Sequence, residues 1–476
     1  MTEVGQDVLD LDAVRMVAAF AARRLSPVEV MTEVLRRIDA VEPTLNALYV
    51  RHSTAALEAA RASASRWLAG RPLGALDGVP VTVKENIATE GVPVPLGSAG
   101  TALVPAAADA PVAARLRAAG AIIVGKTVMP DFGMLSSGVS SLHPVARNPW
   151  NPRWSPGGSS AGAAVAAAAG YGPLHVGTDI GGSIRLPAGW SGIVGLKPSF
   201  GRVPVDPPYF GRVAGPMCRA ADDAALLMSV LSGPHPGDHM SLPGQVIDWT
   251  AAGTSPRGLR IGLLADAGPG LPVDPQIAAA IRAAALLFES AGATVEPVQP
   301  FFTREMLDDL DLFWRVRGWA DLRALPHAAQ GAVLPFIADW CRGGADVPGT
   351  TVLRCINRML EVSAVTLAAT EPYDVVLSPV SPVPTFPAEW PMPSNDVRRP
   401  MEHIAFNVPF NMSGQPAASV NCGFTDDGRP IGLQISGRRF DDRGVLEMVR
   451  WYERSRPAAA VPHWPLPDSF LDAPEN

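Results

Sequence analysis

Lysine is almost absent from this 476-residue chain: among 39 lysines and arginines, only Lys84, Lys126 and Lys197 are lysine. Arginine stays protonated at any working pH, whereas a desolvated lysine readily gives up its proton. Chemistry that needs a basic amine therefore has three candidates. Cysteine is scarce too. Cys218, Cys341, Cys355 and Cys422 are widely spaced and form no CxxC pair, which removes the usual redox and zinc spacings and leaves buried free thiols in a reducing compartment. Nothing in the local sequence sets Cys341 or Cys355 against a pocket. Among the histidines only His235 and His239 stand four apart, in the loop-like run SGPHPGDHMSLPG, so no metal site is expected. No apolar run reaches the length of a membrane span, and the start MTEVGQDVLDLD is acidic rather than signal-like. The expectation is a cytoplasmic protein with no membrane partner. A net charge of -7 and a pI near 5.7 give no global support for nucleic-acid binding.

What the chain does have is a run from Ser155 to Pro187, SPGGSSAGAAVAAAAGYGPLHVGTDIGGSIRLP, with two glycine-flanked serine sites joined by an alanine-rich segment. Glycine lets a backbone take positive φ and approach a ligand, and consecutive N–H groups in such a loop can converge on an oxyanion. Two such loops joined by one helix can bring two serines together. Lys84 lies in GVPVTVKENI, a β-branched run read as a buried strand over 79–87, where burial would lower its pKa. Lys126 and Lys197 end apolar runs beside turn residues and read as structural.

Two patterns that would assign other chemistry fail their context. GSSAG at 158–162 fits the G-x-S-x-G elbow, which would make Ser160 a nucleophile, but an elbow follows a strand and here RNPWNPRWSPG precedes it. Ser160 reads instead as a helix N-cap or a hydrogen-bonding neighbour of the reactive groups. GAIIVGKT at 120–127 fits the phosphate-loop pattern, yet a helix, PVAARLRAA, comes first, Gly120 reads as its C-cap, and AIIV is itself a strand.

Helix and strand signals alternate. Ser26, Pro27 and Glu29 form a capping box that opens a helix with Val30, Val34, Leu35 and Ile38 on one face. A second helix is expected over 54–68, strands over 121–124 and 174–177, and a helix after Ser160. Segments 233–245 and 378–400 read as surface loops, and no internal repeat is present. The fold class is α/β: a mixed, mostly β-sheet core covered by helices on both faces. The chain is read as one domain over 1–476, with a helical N-terminal part (1–70), a catalytic core (71–220), a variable insert (300–350) and a C-terminal part of the core (370–455).

On VTVKENI, SPGGSSAG, GTDIGGSIRLPA, PFNMSGQPAASV and RPIGLQISGRRFDD, the chain resembles the amidase signature family nearly from end to end. The resemblance implies the family's fold and a Ser, cis-Ser, Lys triad: Ser183 as nucleophile, Ser159 as bridging serine after a cis Gly158–Ser159 peptide, and Lys84 as general base. It implies oxyanion donors at the N–H groups of Ile180, Gly181, Gly182 and Ser183, and supporting roles for Ser160, Thr178, Asp179 and Arg185. A neutral lysine can deprotonate a serine through an intervening hydroxyl, giving an acyl-enzyme that water then hydrolyses; no metal and no cofactor are implied. Ala161 stands where many members carry glycine.

The segment 301–349 carries Phe301, Phe302, Phe313, Trp314, Trp319, Phe336 and Trp340 and matches none of these motifs. Aromatics at helical spacing usually fill a core, but a variable insert beside a catalytic core can shape a pocket. Expected pocket residues are Met134, Leu135, Trp190, Trp314, Trp319 and Phe336. The implied substrate is an uncharged, hydrophobic or aromatic amide; carbamates and esters suit the same triad, and a narrow primary-amide hydrolase is an alternative. A small-molecule amide or carbamate is the expected partner, with the chain a monomer or homodimer. The family also contains the glutamine-amidase subunit of the transfer-RNA-dependent amidotransferase, disfavoured by DIGGSIRLP and the apolar insert.

Overall fold

A run of β-branched and small residues can form a strand buried on both faces only where helices cover both sides. The computed structural model describes residues 8–250 and 255–464, so the first seven residues of the acidic start MTEVGQDVLDLD lie outside it. Its strands are β1 (Leu48–Arg51), β2 (Pro80–Lys84), β3 (Ile122–Thr127), β4 (Leu174–Asp179), β5 (Val194–Lys197), β6 (Val213–Cys218), β7 (Arg260–Leu263), β8 (Thr294–Pro297), β9 (Val375–Pro379), β10 (Ala417–Phe424) and β11 (Pro430–Gly437). They form one eleven-stranded sheet in the order β1-β3-β2-β4-β6-β5-β10-β11-β9-β7-β8. The sheet is mixed: β3-β2-β4 and β9-β7-β8 run parallel, and the pairs between them antiparallel. Strands β2 to β6, β9 and β11 are buried along their whole length, as the expected fold class requires.

The capping box forms as read. The Ser26 N–H donates to Glu29 Oε2 at 2.8 Å and Ser26 Oγ accepts from the Val28 N–H at 3.2 Å, opening α1 (Pro27–Leu45), whose Val30, Val34, Leu35 and Ile38 are buried. Helix α2 (Ala161–Ala169) is buried at every residue. Its small side chains let it run directly beneath β2, β3 and β4. Helix α3 (Arg185–Ser191) follows β4, and the insert folds as α4 (Arg304–Ala324), α5 (Pro335–Arg342) and, just beyond it, α6 (Gly349–Thr370). These helices close a second apolar cluster, separate from the main core, that includes Met134, Leu135, Trp314 and Trp340.

Several boundaries differ from the sequence reading. The strand expected over 79–87 stops at Lys84, where the Ile87 N–H turns back to the Lys84 carbonyl at 2.9 Å. The 121–124 strand continues to Thr127 through pairing with both β1 and β2, so Lys126 lies inside a strand; its Nζ donates to Ile87 O at 2.6 Å. A phosphate loop therefore does not form. The N-terminal part is not wholly helical, since β1 supplies the sheet edge. Segment 378–400 is not a simple surface loop: it starts within β9 and buries Phe386 and Met392. Among the described residues no helix is long and apolar enough to cross a membrane, and no group of three or more His, Cys, Asp or Glu could hold a metal.

Candidate active site

Lys84 ends β2 with its side chain fully buried. Its Nζ donates to Ser159 Oγ at 2.8 Å and to Ser160 Oγ at 3.0 Å. Loss of hydration pushes the ammonium down to about 7, aided by Arg212 and opposed by Asp179 and Glu85. Burial also pushes Lys126 to about 8 and Lys197 to about 7, so acidity does not separate the three. Hydrogen bonding does: Lys126 and Lys197 donate to the carbonyls of Ile87 and Pro198, and Lys84 alone donates to serines.

The 155–160 loop delivers Ser159 after a cis Gly158–Ser159 peptide. No strand precedes it, so the G-x-S-x-G elbow is absent. Ser160 occupies the N-cap position of α2 but makes no cap hydrogen bond. Its hydroxyl instead donates to Thr178 O at 3.1 Å and accepts from the Thr178 N–H at 3.2 Å, tying the Lys84 end of the site to β4. Ser160 thus stands at the N-cap position while its side chain serves as a hydrogen-bonding neighbour of Lys84. Ala161 is buried with Val128 and Ala146, and its methyl takes the space that glycine would leave.

Ser183 sits in the turn between β4 and α3, half-buried beside Ser159 on the wall of one cavity. That turn is held by Asp179, whose carboxylate accepts from the N–H groups of Gly182 at 2.9 Å and Ile184 at 3.0 Å. Gly182 has φ +114°, and a Cβ there would lie 2.8 Å from Leu186, so only glycine fits. The engagement of Gly182 corrects one expectation. Its N–H points at Asp179 rather than at a ligand, whereas the N–H groups of Ile180, Gly181 and Ser183 are not among those the carboxylate takes.

Asp179 pairs with Arg185 at 3.0 Å with both side chains fully buried, and the guanidinium holds the carboxyl well below its usual range against the cost of burial. Arg185 also donates to Asn411 Oδ1 at 2.5 Å, Gln434 Oε1 at 2.8 Å and Asn407 O at 3.0 Å. The far C-terminal motifs PFNMSGQ and RPIGLQISG thus serve the same loop. Thr178 Oγ1 accepts from Asn86 Nδ2 at 3.0 Å.

Two spaces meet at Ser183, and a third shares Ile180 with both. One arm, about 60 Å³, contains Ser159, Asn86, Thr178, Tyr209, Arg212 and Arg317. Another is lined mainly by apolar side chains and contains Gly181, Met134, Leu135, Trp314, Trp340 and Ile404, with Ser136 and His403 among its polar groups. A third, about 250 Å³, opens from Ile180 and Tyr209 toward Phe210, Phe313, Ile356 and Met412. Of the expected pocket residues, Met134, Leu135 and Trp314 line these spaces.

Trp190, Trp319 and Phe336 do not. The Trp190 indole donates to Val383 O at 3.0 Å and packs edge-on to Phe386, which turns it toward the 381–386 segment. Trp319 lies five residues from Trp314 on α4, about 140° around the helix, and packs beneath Arg323. Phe336 is at the edge of a buried face made by Ile337, Trp340 and Cys341. Cys341 lies behind the wall, against Gly318 and Met134, and Cys355 faces Asp309; neither lines the cavity. Arg212 and Arg317 were not anticipated. The one available signal was Arg317, three residues after Trp314 and so on the same face of α4.

A polar hydroxyl–lysine network behind a glycine-rich turn, on a mixed sheet covered by helices, describes a hydrolase of amides. The chain belongs to the Amidase family, whose model matches residues 29–446. It is 35% identical over 469 residues to a glutamyl-tRNA(Gln) amidotransferase subunit of Chloroflexus aurantiacus, covering 92% of this chain and 95% of that protein. It is 33% identical over 470 residues to an acylamidase of Rhodococcus erythropolis, covering 96% and 98%. Among solved structures, a bacterial aryl acylamidase of the amidase signature family superposes with a TM-score of 0.87 at 28% identity, covering 98% of this chain and 99% of that one. The 6-aminohexanoate cyclic dimer hydrolase follows with 0.86 at 27%, covering 96% and 99%.

Proposed function

We propose that this amide hydrolase acts on hydrophobic or aromatic acyl amides, with carbamates and esters as further substrates, through a Ser183, Ser159, Lys84 triad. The observation that carries the reading is the 2.8 Å contact from a fully buried Lys84 Nζ to Ser159 Oγ, with Ser159 and Ser183 on one cavity wall. Neutral Lys84 takes the Ser159 proton as Ser159 takes that of Ser183. Ser183 Oγ then attacks the carbonyl carbon, and the oxyanion accepts from the N–H groups of Ile180, Gly181 and Ser183. As the C–N bond breaks, the amine nitrogen collects its proton through Ser159, and water hydrolyses the acyl-enzyme by the same relay. Asp179, Arg185 and Ser160 hold the geometry. The apolar arm around Met134, Leu135, Trp314 and Trp340 supports an aromatic or aliphatic acyl group.

The similarity to the amidotransferase protein favours a second reading, a glutaminase that works with partner proteins. Purified protein offered an anilide, an aryl carbamate and a small primary amide separates these, beside a Ser183→Ala control. Aniline release from the first two, lost in the variant, is expected. Aniline release that survives in Ser183→Ala would remove Ser183 from the mechanism, and ammonia release that needs added partners would favour the second reading.

A further inference from the structure

Two arginines stand in the cavity wall with a single carboxylate in ion-pair range, Asp321 against Arg317. Arg212, just before β6, and Arg317, on α4, lie on the ring of Tyr209 at 5.4 and 5.0 Å from its centroid. Arg212 donates to Pro207 O and has no ion pair within 4 Å among the described residues. Arg317 has Asp321 at 3.7 Å, beyond hydrogen-bond range. Asp206 and Asp238 act on Arg212 only at longer range. Asp179, in the same wall, is consumed by Arg185, Asn411 and the turn N–H groups. Two guanidiniums held together on an aromatic face against the one carboxylate of Asp321 leave a surplus positive charge, and their donor forks match a planar carboxylate.

The arms are not equivalent around the reacting bond. Ser159 lies in the arginine arm, and the apolar arm contains Gly181 and Ser183 but not Ser159. A departing amine must receive its proton from Ser159 and so leaves through the arginine arm, with the acyl group in the apolar one. We infer that Arg212 and Arg317 form a carboxylate subsite for the leaving group, so that the substrate class is an apolar acyl group joined by its amide to an amino acid. This rests on the roles proposed for Ser183 and Ser159, and it replaces the uncharged substrate expected from sequence.

The test compares N-phenylacetylglycine with its uncharged isostere N-isobutylphenylacetamide, reading phenylacetate release. The acid should have the higher kcat/KM by about ten- to a hundredfold, the scale of hydrogen bonds to a charged group. Arg317→Gln should remove most of that ratio, and Arg317→Lys should restore part of it. Equal rates for the two amides, or faster release of ammonia from glutamine, whose carboxylate is on the acyl side, would overturn the subsite. Calorimetric binding of N-phenylacetylglycine to Ser183→Ala gives a readout independent of turnover. Adding Arg317→Gln should weaken that binding about tenfold; unchanged affinity overturns the subsite even if no amide is turned over, whereas weakened binding without turnover retains it and rejects the catalytic roles.

Discussion

Lys84 is held in place by two hydroxyls and no carboxylate, since Ser159 and Ser160 are its hydrogen-bond partners. Burial lowers the ammonium to about 7, outweighing the longer-range attraction of Asp179 and Glu85. The sign of the pH dependence follows. Above about 7 the amine is neutral and can accept the Ser159 proton; below it the site fills with protons and the base is lost. The kcat/KM for a neutral anilide should therefore rise through about pH 7 and level off. Lys84→Ala should lower turnover by about 10²–10⁴-fold, the usual worth of general acid–base catalysis, and a profile flat across neutrality would assign the base elsewhere. Arg212 contributes to the same balance by disfavouring a second positive charge nearby, so the guanidinium inferred to meet the substrate also favours the neutral lysine.

Elements explain why residues so far apart in sequence converge. Strand β2 ends at Lys84, β4 ends at Asp179, and α2 runs beneath both, so its N-terminus meets the two strand ends at Ser160. The same helix passes close to the chain just before β1 and just after β3, and that approach depends on Gly162. A Cβ there would lie 2.2 Å from Ala47 O and 2.6 Å from Val128 N, both backbone atoms that cannot swing aside. Intrinsic propensity favours alanine over glycine in a helix by about 1 kcal/mol, but overpacking costs about 1–3 kcal/mol. Gly162→Ala should therefore lower the urea midpoint, while Gly331→Ala, with nothing within 4 Å of its Cβ, should leave it near the parent value. A raised midpoint for Gly162→Ala would mean that the helix stands off the strands. The same geometry shows what was legible beforehand. Alternating helix and strand signals, the capping box and the lysine-bearing strand are local patterns, and they appear nearly where the sequence put them. Gly182 illustrates the limit: its spacing marks a turn, but the direction of its N–H depends on Asp179 being fixed by Asn411 and by Arg185, which is itself held by Gln434, 249 residues further on. Trp190 and Trp319 show another, because composition marks an aromatic insert while rotation about the helix and one indole hydrogen bond decide which ring meets the cavity.

For the molecule as a whole, the near-absence of lysine has a thermodynamic consequence, because all three lysines are buried and burial lowers them to about 7, 8 and 7 from an ordinary 10.5. Above these values the folded chain has released protons that the unfolded chain still holds, so stability rises with pH over this interval. His175 and His403, buried and pushed down to about 3, act in the same direction at lower pH, since unfolding lets them take up protons below their ordinary 6.5. Glu453, raised by burial to about 7, opposes only up to neutrality, and Asp223, raised by burial and by Asp12, acts in that opposing direction, as do Glu42, Asp311 and Asp321, each raised by burial. The thiols reverse the trend. Burial pushes all four above their ordinary 9.0, so beyond about pH 9 the unfolded chain ionises its cysteines while the folded chain does not, and stability falls. The unfolding free energy should thus climb from pH 7 to a maximum near 9, on the alkaline side of the range where carboxylates and histidines alone would place it. Urea unfolding followed across this range under reducing conditions tests the balance, and a maximum at or below neutrality would show that the lysines stay charged in the folded protein. In that event Lys84 would also be unable to act as a base near pH 7, which links the stability curve to the activity profile through one side chain.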